Sequence, residues 1–311
     1  MLAGSPVLCA QTGAPIRLGI LAGGNPRSAP FYVAFEKRLA ELGYVEGRNL
    51  TIDFRWAAGD YDKLPAFMAE LVRARCDLIF TSGPEAPIRA AKDGAGAIPV
   101  VMVAIDFDPV ATGIVSSLRR PGGKVTGVSV QQLDLTAKRL ELLRELVPQL
   151  KRVAVFADRN TRDQLRVAQD NARRLALSLQ PVELGVPPDY ETAFRTLRAG
   201  SAEALLMLMT PVLFRDREAV AALTREHRLP SIFGLAEYPE AGGLLSYGIN
   251  ISEEYRRGAD YVDKVLKGAN PGDLPVEQPT RFELVINLKT AKALGIKVPQ
   301  TVLLRADRII E

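Results

Sequence analysis

One histidine, His227, and two cysteines, Cys9 and Cys76, are all that the 311 residues contain of these types. A Cys/His metal centre or a redox pair needs more ligands at closer spacing. Cys9 lies in an N-terminal tail, so no structural disulfide to Cys76 is expected. A Ser-His-Asp triad would have to use His227, and no G-x-S-x-G elbow accompanies it. His227 sits in Arg225-Glu226-His227-Arg228, just before Leu229-Pro230, where a helix-end cap is the plainer role. The dinucleotide fingerprint G-x-G-x-x-G and the phosphate loop G-x-x-x-x-G-K-[ST] are both missing. No run of 18 apolar residues exists, so no spanning helix is expected. Together these gaps exclude most histidine, thiol, zinc and nucleotide chemistry. No catalytic residue, metal ligand or cofactor is assigned.

What remains is ordinary globular material. Hydrophobic residues make up 47% and charged residues 24%, enough to bury a sizeable core. The length suggests two domains or one large one. The net charge of +4, with both signs interspersed, gives no basic stripe for nucleic acid. The first residues, Met1–Gln11, are apolar and small and end in Leu8-Cys9-Ala10-Gln11. They read as the back half of an export signal or as a disordered tail, and residues 1–15 are set apart from the folded part.

From Ile16 onward the pattern alternates between strand and helix. Strands are expected at Ile16–Leu21, Leu50–Phe54, Leu78–Phe80, Ile98–Val103 and Val125–Val130, and then at Val153–Phe156, Val182–Leu184, Ala204–Leu208, Ser231–Phe233, Leu244–Tyr247 and Phe282–Leu288. Amphipathic helices fall between them, at Phe31–Leu42, Leu64–Val72, Thr136–Leu146, Arg162–Ser178, Tyr190–Leu197, Arg215–Glu226 and Glu254–Leu266. Such alternation predicts an α/β fold with parallel sheets, and there are too many strands for one comfortable sheet. Two lobes follow, with boundaries at Gly122-Gly123-Lys124 and Ala241-Gly242-Gly243. The late strand implies that the chain crosses between lobes more than once. Lobe 1 is expected over 16–128 plus 250–277, and lobe 2 over 129–249 plus 278–311.

In parallel α/β sheets, ligands sit beyond the carboxyl ends of strands. Six segments follow predicted strands: Gly23-Gly24-Asn25, Ser82-Gly83-Pro84-Glu85, Asp106-Phe107-Asp108, Asp158-Arg159-Asn160, Thr210-Pro211 and Gly234-Leu235-Ala236-Glu237. Glycines and small hydroxyls let backbone N–H groups approach a ligand, and a following helix start favours an anionic group. The candidate ligand-binding residues are Gly24, Asn25, Ser82, Gly83, Glu85, Asp106, Asp108, Asp158, Thr210, Glu237 and Tyr247. Phe107, Phe214, Phe233 and Tyr247 are candidates for apolar walls. Carboxylates dominate this set, so an ammonium-bearing, amino-acid-like solute is the leading ligand class. A small organic acid with Arg159 as counter-ion is the alternative. A cleft without catalytic apparatus points to binding rather than turnover.

Several stretches then resemble the tryptophan/tyrosine type of ABC transporter substrate-binding proteins. They are Glu-Leu-Gly-Tyr-Val-Glu-Gly-Arg-Asn-Leu at 41–50, Arg55-Trp56 with Gly59-Asp60, Asp108-Pro109-Val110, and Arg120-Pro121-Gly122-Gly123 with Val125-Thr126-Gly127. They continue through Lys-Arg-Leu-Glu-Leu-Leu at 138–143, Glu-Ala-Gly-Gly-Leu-Leu-Ser-Tyr-Gly at 240–248, Leu-Pro-Val-Glu-Gln-Pro-Thr at 274–280, and Phe282–Gly295. The chain departs from the family's pattern at Pro84-Glu85 and at Ala157-Asp158-Arg159, both where the cleft is expected. The resemblance implies a type I periplasmic-binding-protein fold: two Rossmann-like lobes joined by three crossovers and closing on a small ligand. It further implies export to the periplasm, delivery to a membrane permease, and a monomer. A ligand-sensing receptor or regulator module with the same fold is the rival reading, and an α/β enzyme is a third.

Overall fold

The computed structural model describes residues 14–131, 135–158, 161–185 and 187–311. The expectations for Met1–Gln11, with Cys9, and for Arg159 and Asn160 fall outside those residues. The first lobe is built from β1 (Ile16–Ala22), α1 (Pro30–Glu41), β2 (Leu50–Trp56), α2 (Leu64–Arg73), β3 (Leu78–Gly83), α3 (Glu85–Gly94), β4 (Val100–Ile105) and β5 (Val125–Val130). Its five strands are all parallel, in the order β2-β1-β3-β4-β5. Val100–Ala104 is buried throughout, as a strand covered on both faces must be. Gly127 is obligatory in β5. Its φ is +135°, and an added Cβ would lie 2.0 Å from the Met102 carbonyl oxygen on β4.

The second lobe continues with α4 (Leu135–Leu146), β6 (Arg152–Ala157), α5 (Arg162–Arg174), β7 (Ser178–Glu183), α6 (Tyr190–Ala199), β8 (Ala204–Met207), α7 (Pro211–Arg215), α8 (Arg217–Glu226), β9 (Ser231–Phe233), α9 (Glu237–Glu240) and β10 (Leu245–Gly248). The chain then forms α10 (Ile251–Leu266), which packs along α1 and against β3, β4 and β5 of the first sheet. It returns to the second sheet as β11 (Glu283–Asn287), followed by α11 (Leu288–Leu294), α12 (Gln300–Leu303) and β12 (Arg308–Ile310). The order is β12-β11-β10-β9-β8-β6-β7.

One pair in this sheet, β10–β11, is antiparallel. The cause is topological. β10 leaves toward the first lobe and the chain comes back from that lobe, so β11 enters the sheet from the end at which β10 left it. On the way, Glu277 bridges to β5: its N–H donates to Gly127 O at 3.0 Å, and Ser129 N–H donates to its carbonyl at 2.8 Å.

The structure differs from the sequence reading in one strand's start, one helix that is split, and five additional elements. β7 begins four residues earlier than Val182, because Ala176 turns the chain at φ +56°. It is an edge strand with no buried side chain, which hides its hydrophobic signal and accommodates Pro181. The predicted helix Arg215–Glu226 is two helices, broken at Asp216. α3, α9, α11, α12 and β12 are additional. Proline at position 87 and a run of small residues conceal the period of α3, and the others span only three to seven residues.

Candidate functional site: a cleft between two sheets

A cavity opens where the carboxyl ends of β1, β3, β4 and β8 face one another across the two lobes. Gly24, Asn25, Ser82, Gly83, Asp106 and Thr210 line it, so six of the eleven candidate residues are brought together. Five of the six post-strand segments contribute at least one lining residue.

The other five candidates lie elsewhere. Glu85 opens α3 and pairs with Arg89 one turn on. Asp108 is exposed and accepts from the N–H groups of Val110 at 2.8 Å and Ala111 at 3.2 Å, a local turn cap. Asp158 sits in a turn in which its N–H donates to Thr161 Oγ1 at 2.8 Å. Glu237 borders a separate polar cavity with Arg217, Glu240, Arg281 and Arg308, and burial pushes its carboxyl above the usual range. The Tyr247 ring turns toward Phe282, and its carbonyl is held from behind the cleft. His227 caps α8 and stacks on Phe194 at 4.9 Å, away from the cleft. Cys76 is buried, and burial pushes its thiol up to about 11, which leaves it unreactive.

Helices supply most of the wall that strand-end reasoning does not reach. Phe31 and Tyr32 come from the first turn of α1, and Ile251 and Tyr255 from the first turns of α10. Ser82 Oγ accepts from Tyr255 OH at 2.6 Å and lies 3.0 Å from Tyr32 OH. All three residues are buried, and burial pushes the Tyr32 phenol up to about 12 and raises that of Tyr255 well above its ordinary value. These hydroxyls are therefore neutral donors and acceptors at any physiological pH. Phe31 contacts Tyr255 with ring centroids 4.5 Å apart and reaches across the cleft to Phe214 of α7 at 5.3 Å. Through that contact one apolar cluster runs without a break from the first lobe into the second.

On the second lobe, Gln164 clamps the strand end through both amide atoms. Its Nε2 donates to Met209 O at 3.1 Å and its Oε1 accepts from Met209 N at 3.0 Å. Asn25 Oδ1 is buried without a hydrogen-bond partner among the described residues, a cost that a bound donor would relieve. Asp106 adopts a left-handed conformation at φ +58°, held by its N–H donating to Val130 O at 2.8 Å. Backbone of this kind persists where the surroundings enforce it, often at functional sites. Behind the wall lies Arg139 of α4, only 1% exposed. Its Nε donates to Tyr247 O at 2.8 Å, and the charge of Asp106 acts on it. Burial still brings this guanidinium down to about 10, so it remains charged near neutrality.

The arrangement is a binding cleft. Its described lining residues present aromatic faces, neutral hydroxyl and amide groups, and one carboxylate, Asp106. The described lining residues include no lysine, arginine or histidine. Among the described residues no group of three or more His, Cys, Asp or Glu side chains could hold a metal, and no helix is long and apolar enough to cross a membrane.

The family model for ABC transporter substrate-binding proteins matches residues 27–310. A curated relative, the tyrosine-binding protein of Clostridioides difficile (strain R20291), is 30% identical over 271 residues, spanning 85% of this chain and 76% of the relative. Among solved structures, the L-Trp complex of an ABC domain from Streptococcus pneumonia superposes with a TM-score of 0.82 at 26% identity, covering 96% of this chain and 100% of that one. A conserved domain protein from Vibrio cholerae gives 0.81 at 24% identity, over 95% and 99% of the two chains. The ligand-free, open form of an adhesive substrate-binding protein from Clostridium difficile gives 0.65 at 23%, over 95% and 99%. The family match spans both lobes and the cleft between them, and it supports a solute-binding subunit over a sensor module or an enzyme. This chain belongs to the ABC transporter substrate-binding proteins.

Proposed function

We propose that this chain captures a small amino-acid-like zwitterion in the cleft, outside the cytoplasm, and hands it to a membrane permease. The observation that carries the ligand class is the polarity of the lining: one carboxylate, Asp106, among neutral donors and aromatic faces in the described lining residues. A ligand ammonium can meet Asp106. The ligand carboxylate can meet the backbone amides at the start of α3, with Ser82 and Asn25 beside it. Phe31, Tyr32, Phe214 and Tyr255 offer walls for a flat apolar side chain. The curated relative named for tyrosine and the structure holding L-Trp support an aromatic amino acid as the first solute to try.

In this reading the lobes are residues 16–128 with 250–277 and residues 129–249 with 278–311. Segments near Val128–Val130, Gly248–Asn250 and Glu277–Thr280 act as the hinge. The Phe31–Phe214 contact across the cleft supports a closed arrangement. The protein works in the periplasm as a monomer and binds no nucleic acid.

Calorimetric titration with L-tryptophan, tryptamine and indole-3-propionate tests the ligand class. The zwitterion is expected to bind at least about tenfold more tightly than either analogue, since each lacks one charge-assisted hydrogen bond. Equal or tighter binding of indole-3-propionate would replace this reading with an organic-acid site.

A further inference from the structure

We propose that Arg217 is a positioning residue of the solute cleft: from behind the aromatic wall it holds the Phe214 ring in the orientation that meets Phe31 and faces the solute. The inference rests on the cleft being the solute site. Arg217 is not among the described lining residues of the cleft. It lines the neighbouring polar cavity with Glu237, Asn250 and Arg308, and 22% of its side chain is exposed. Phe214 lines the cleft and is not among the described lining residues of that second cavity. The partition between the two is thin: Phe31 and Ile251 line the cleft, while their chain neighbours Pro30, Asn250 and Ser252 line the polar cavity.

A helix break brings the two side chains together. α7 ends at Arg215 and α8 begins at Arg217, so Phe214 and Arg217 keep the i, i+3 spacing of helical neighbours while the chain bends at Asp216. The bend is pinned, because the Asp216 carboxylate accepts from Tyr190 OH at 2.8 Å and from Arg215 Nε at 2.8 Å. Across it, Arg217 Nη1 donates to the Phe214 carbonyl at 3.3 Å. The guanidinium carbon stands over the Phe214 ring, 5.1 Å from its centroid, within the range of a cation–π contact. Tyr238 meets the same ring edge to face at 6.3 Å, and Phe31 meets it from the other lobe at 5.3 Å.

The consequence is preorganisation. A ring that must be frozen when solute binds costs affinity, and one already fixed does not. Arg217 fixes Phe214 through both its backbone and its ring. The carboxylate of Glu218 competes for the guanidinium only weakly, since it lies 3.8 Å away on a side chain that is 82% exposed. Arg217 thus acts on the solute through Phe214, without touching it.

The test is a double-mutant cycle on solute affinity, read by calorimetry with L-tryptophan on the full chain. Arg217→Gln keeps a donor for the Phe214 carbonyl but loses the charge, and should weaken binding by about fivefold. In a Phe214→Leu background the same substitution should change affinity by less than about twofold, because the ring it acts through is gone. Arg217→Lys keeps a cation for the ring and should stay nearer to wild type than Arg217→Gln does. A merely structural role would weaken binding by the same factor in both backgrounds. Equal factors, or wild-type affinity in folded Arg217→Gln, overturn this inference alone when wild type binds tryptophan. Failure of wild type to bind L-tryptophan and L-tyrosine alike overturns the amino-acid reading, and this inference with it.

Discussion

Ser82→Ala probes the hydroxyl cluster that forms one wall of the cleft. The substitution removes a single oxygen, which accepts from Tyr255 OH at 2.6 Å and lies 3.0 Å from Tyr32 OH. Both tyrosines are buried, with 2% and 3% of their surface exposed, so water cannot replace the lost partner without opening the wall. An orphaned buried hydroxyl costs about 1–3 kcal/mol. The two rings pack edge to face at 5.3 Å, and their hydroxyls interact, so part of that loss is recovered between them. A net destabilisation of about 2 kcal/mol is expected for the solute-free protein. Adding Tyr255→Phe removes the stranded donor, so the double variant should be more stable than the sum of the single effects by about 1 kcal/mol. Urea unfolding, followed by circular dichroism and by tyrosine emission, measures all four corners of the cycle. Solute affinity should fall together with stability in Ser82→Ala. A single variant within about 0.5 kcal/mol of wild type, or additive single effects, would show that the hydroxyl cluster does not hold the wall together.

Other outcomes follow from particular contacts. Gly127→Ala places a Cβ against the Met102 carbonyl oxygen and should leave little folded protein, seen as loss of soluble yield and of a cooperative melt. Phe214→Ala removes the ring that meets Phe31 across the cleft. It should weaken solute affinity by about tenfold by calorimetry and, because the ring is buried in the apolar cluster, lower stability by about 3 kcal/mol as well. His227→Ala should leave solute affinity within about twofold of wild type, because the ring stacks on Phe194 outside the cleft; a larger loss would place it in the binding machinery. Glu254 is 5% exposed, its Oε2 has no hydrogen-bond partner among the described residues, and Arg257 is 3.8 Å away. Burial raises its pKa, so the folded state holds a proton that the unfolded state releases first. Stability from this group is present at low pH and is lost as pH rises from its unfolded value through the raised folded one. Glu254→Gln should therefore be more stable than wild type at pH 7.5, with the difference shrinking toward pH 4, by urea midpoint.

The strands of this protein are legible because parallel strands covered on both faces must be apolar throughout. Val100–Ala104 and Val153–Ala157 are buried at every position. Where that cause is absent, the signal fails. β7 and β12 lie at the two edges of the second sheet and carry no buried residue, so the apolar pattern misplaces the start of one and gives no sign of the other.

The same logic divides the cleft. Asn25, Asp106 and Thr210 follow strand ends and Ser82 lies at the carboxyl end of β3, and a rule about strand ends finds them. Glu85, Asp108 and Asp158 obey that rule as well but are taken up by local turns and helix starts, where a carboxylate has partners within a few residues. Tyr32 and Tyr255 reach the cleft from helices whose apolar positions read only as core. Tyr255 does so because the chain crosses back after β10, a tertiary fact with no local mark in the sequence. Arg139 stands in a basic and apolar helix pattern that gives no hint of burial. Only the packing of α4 against the second sheet turns that arginine inward.

The central claim is that this cleft holds an amino-acid-like zwitterion. Native mass spectrometry tests it most directly, on protein purified rapidly with no solute added. The account predicts a bound neutral adduct of amino-acid mass, released at raised collision energy and lost in Asp106→Asn. A sugar or an organic acid in its place, or an adduct retained equally by Asp106→Asn, would contradict it.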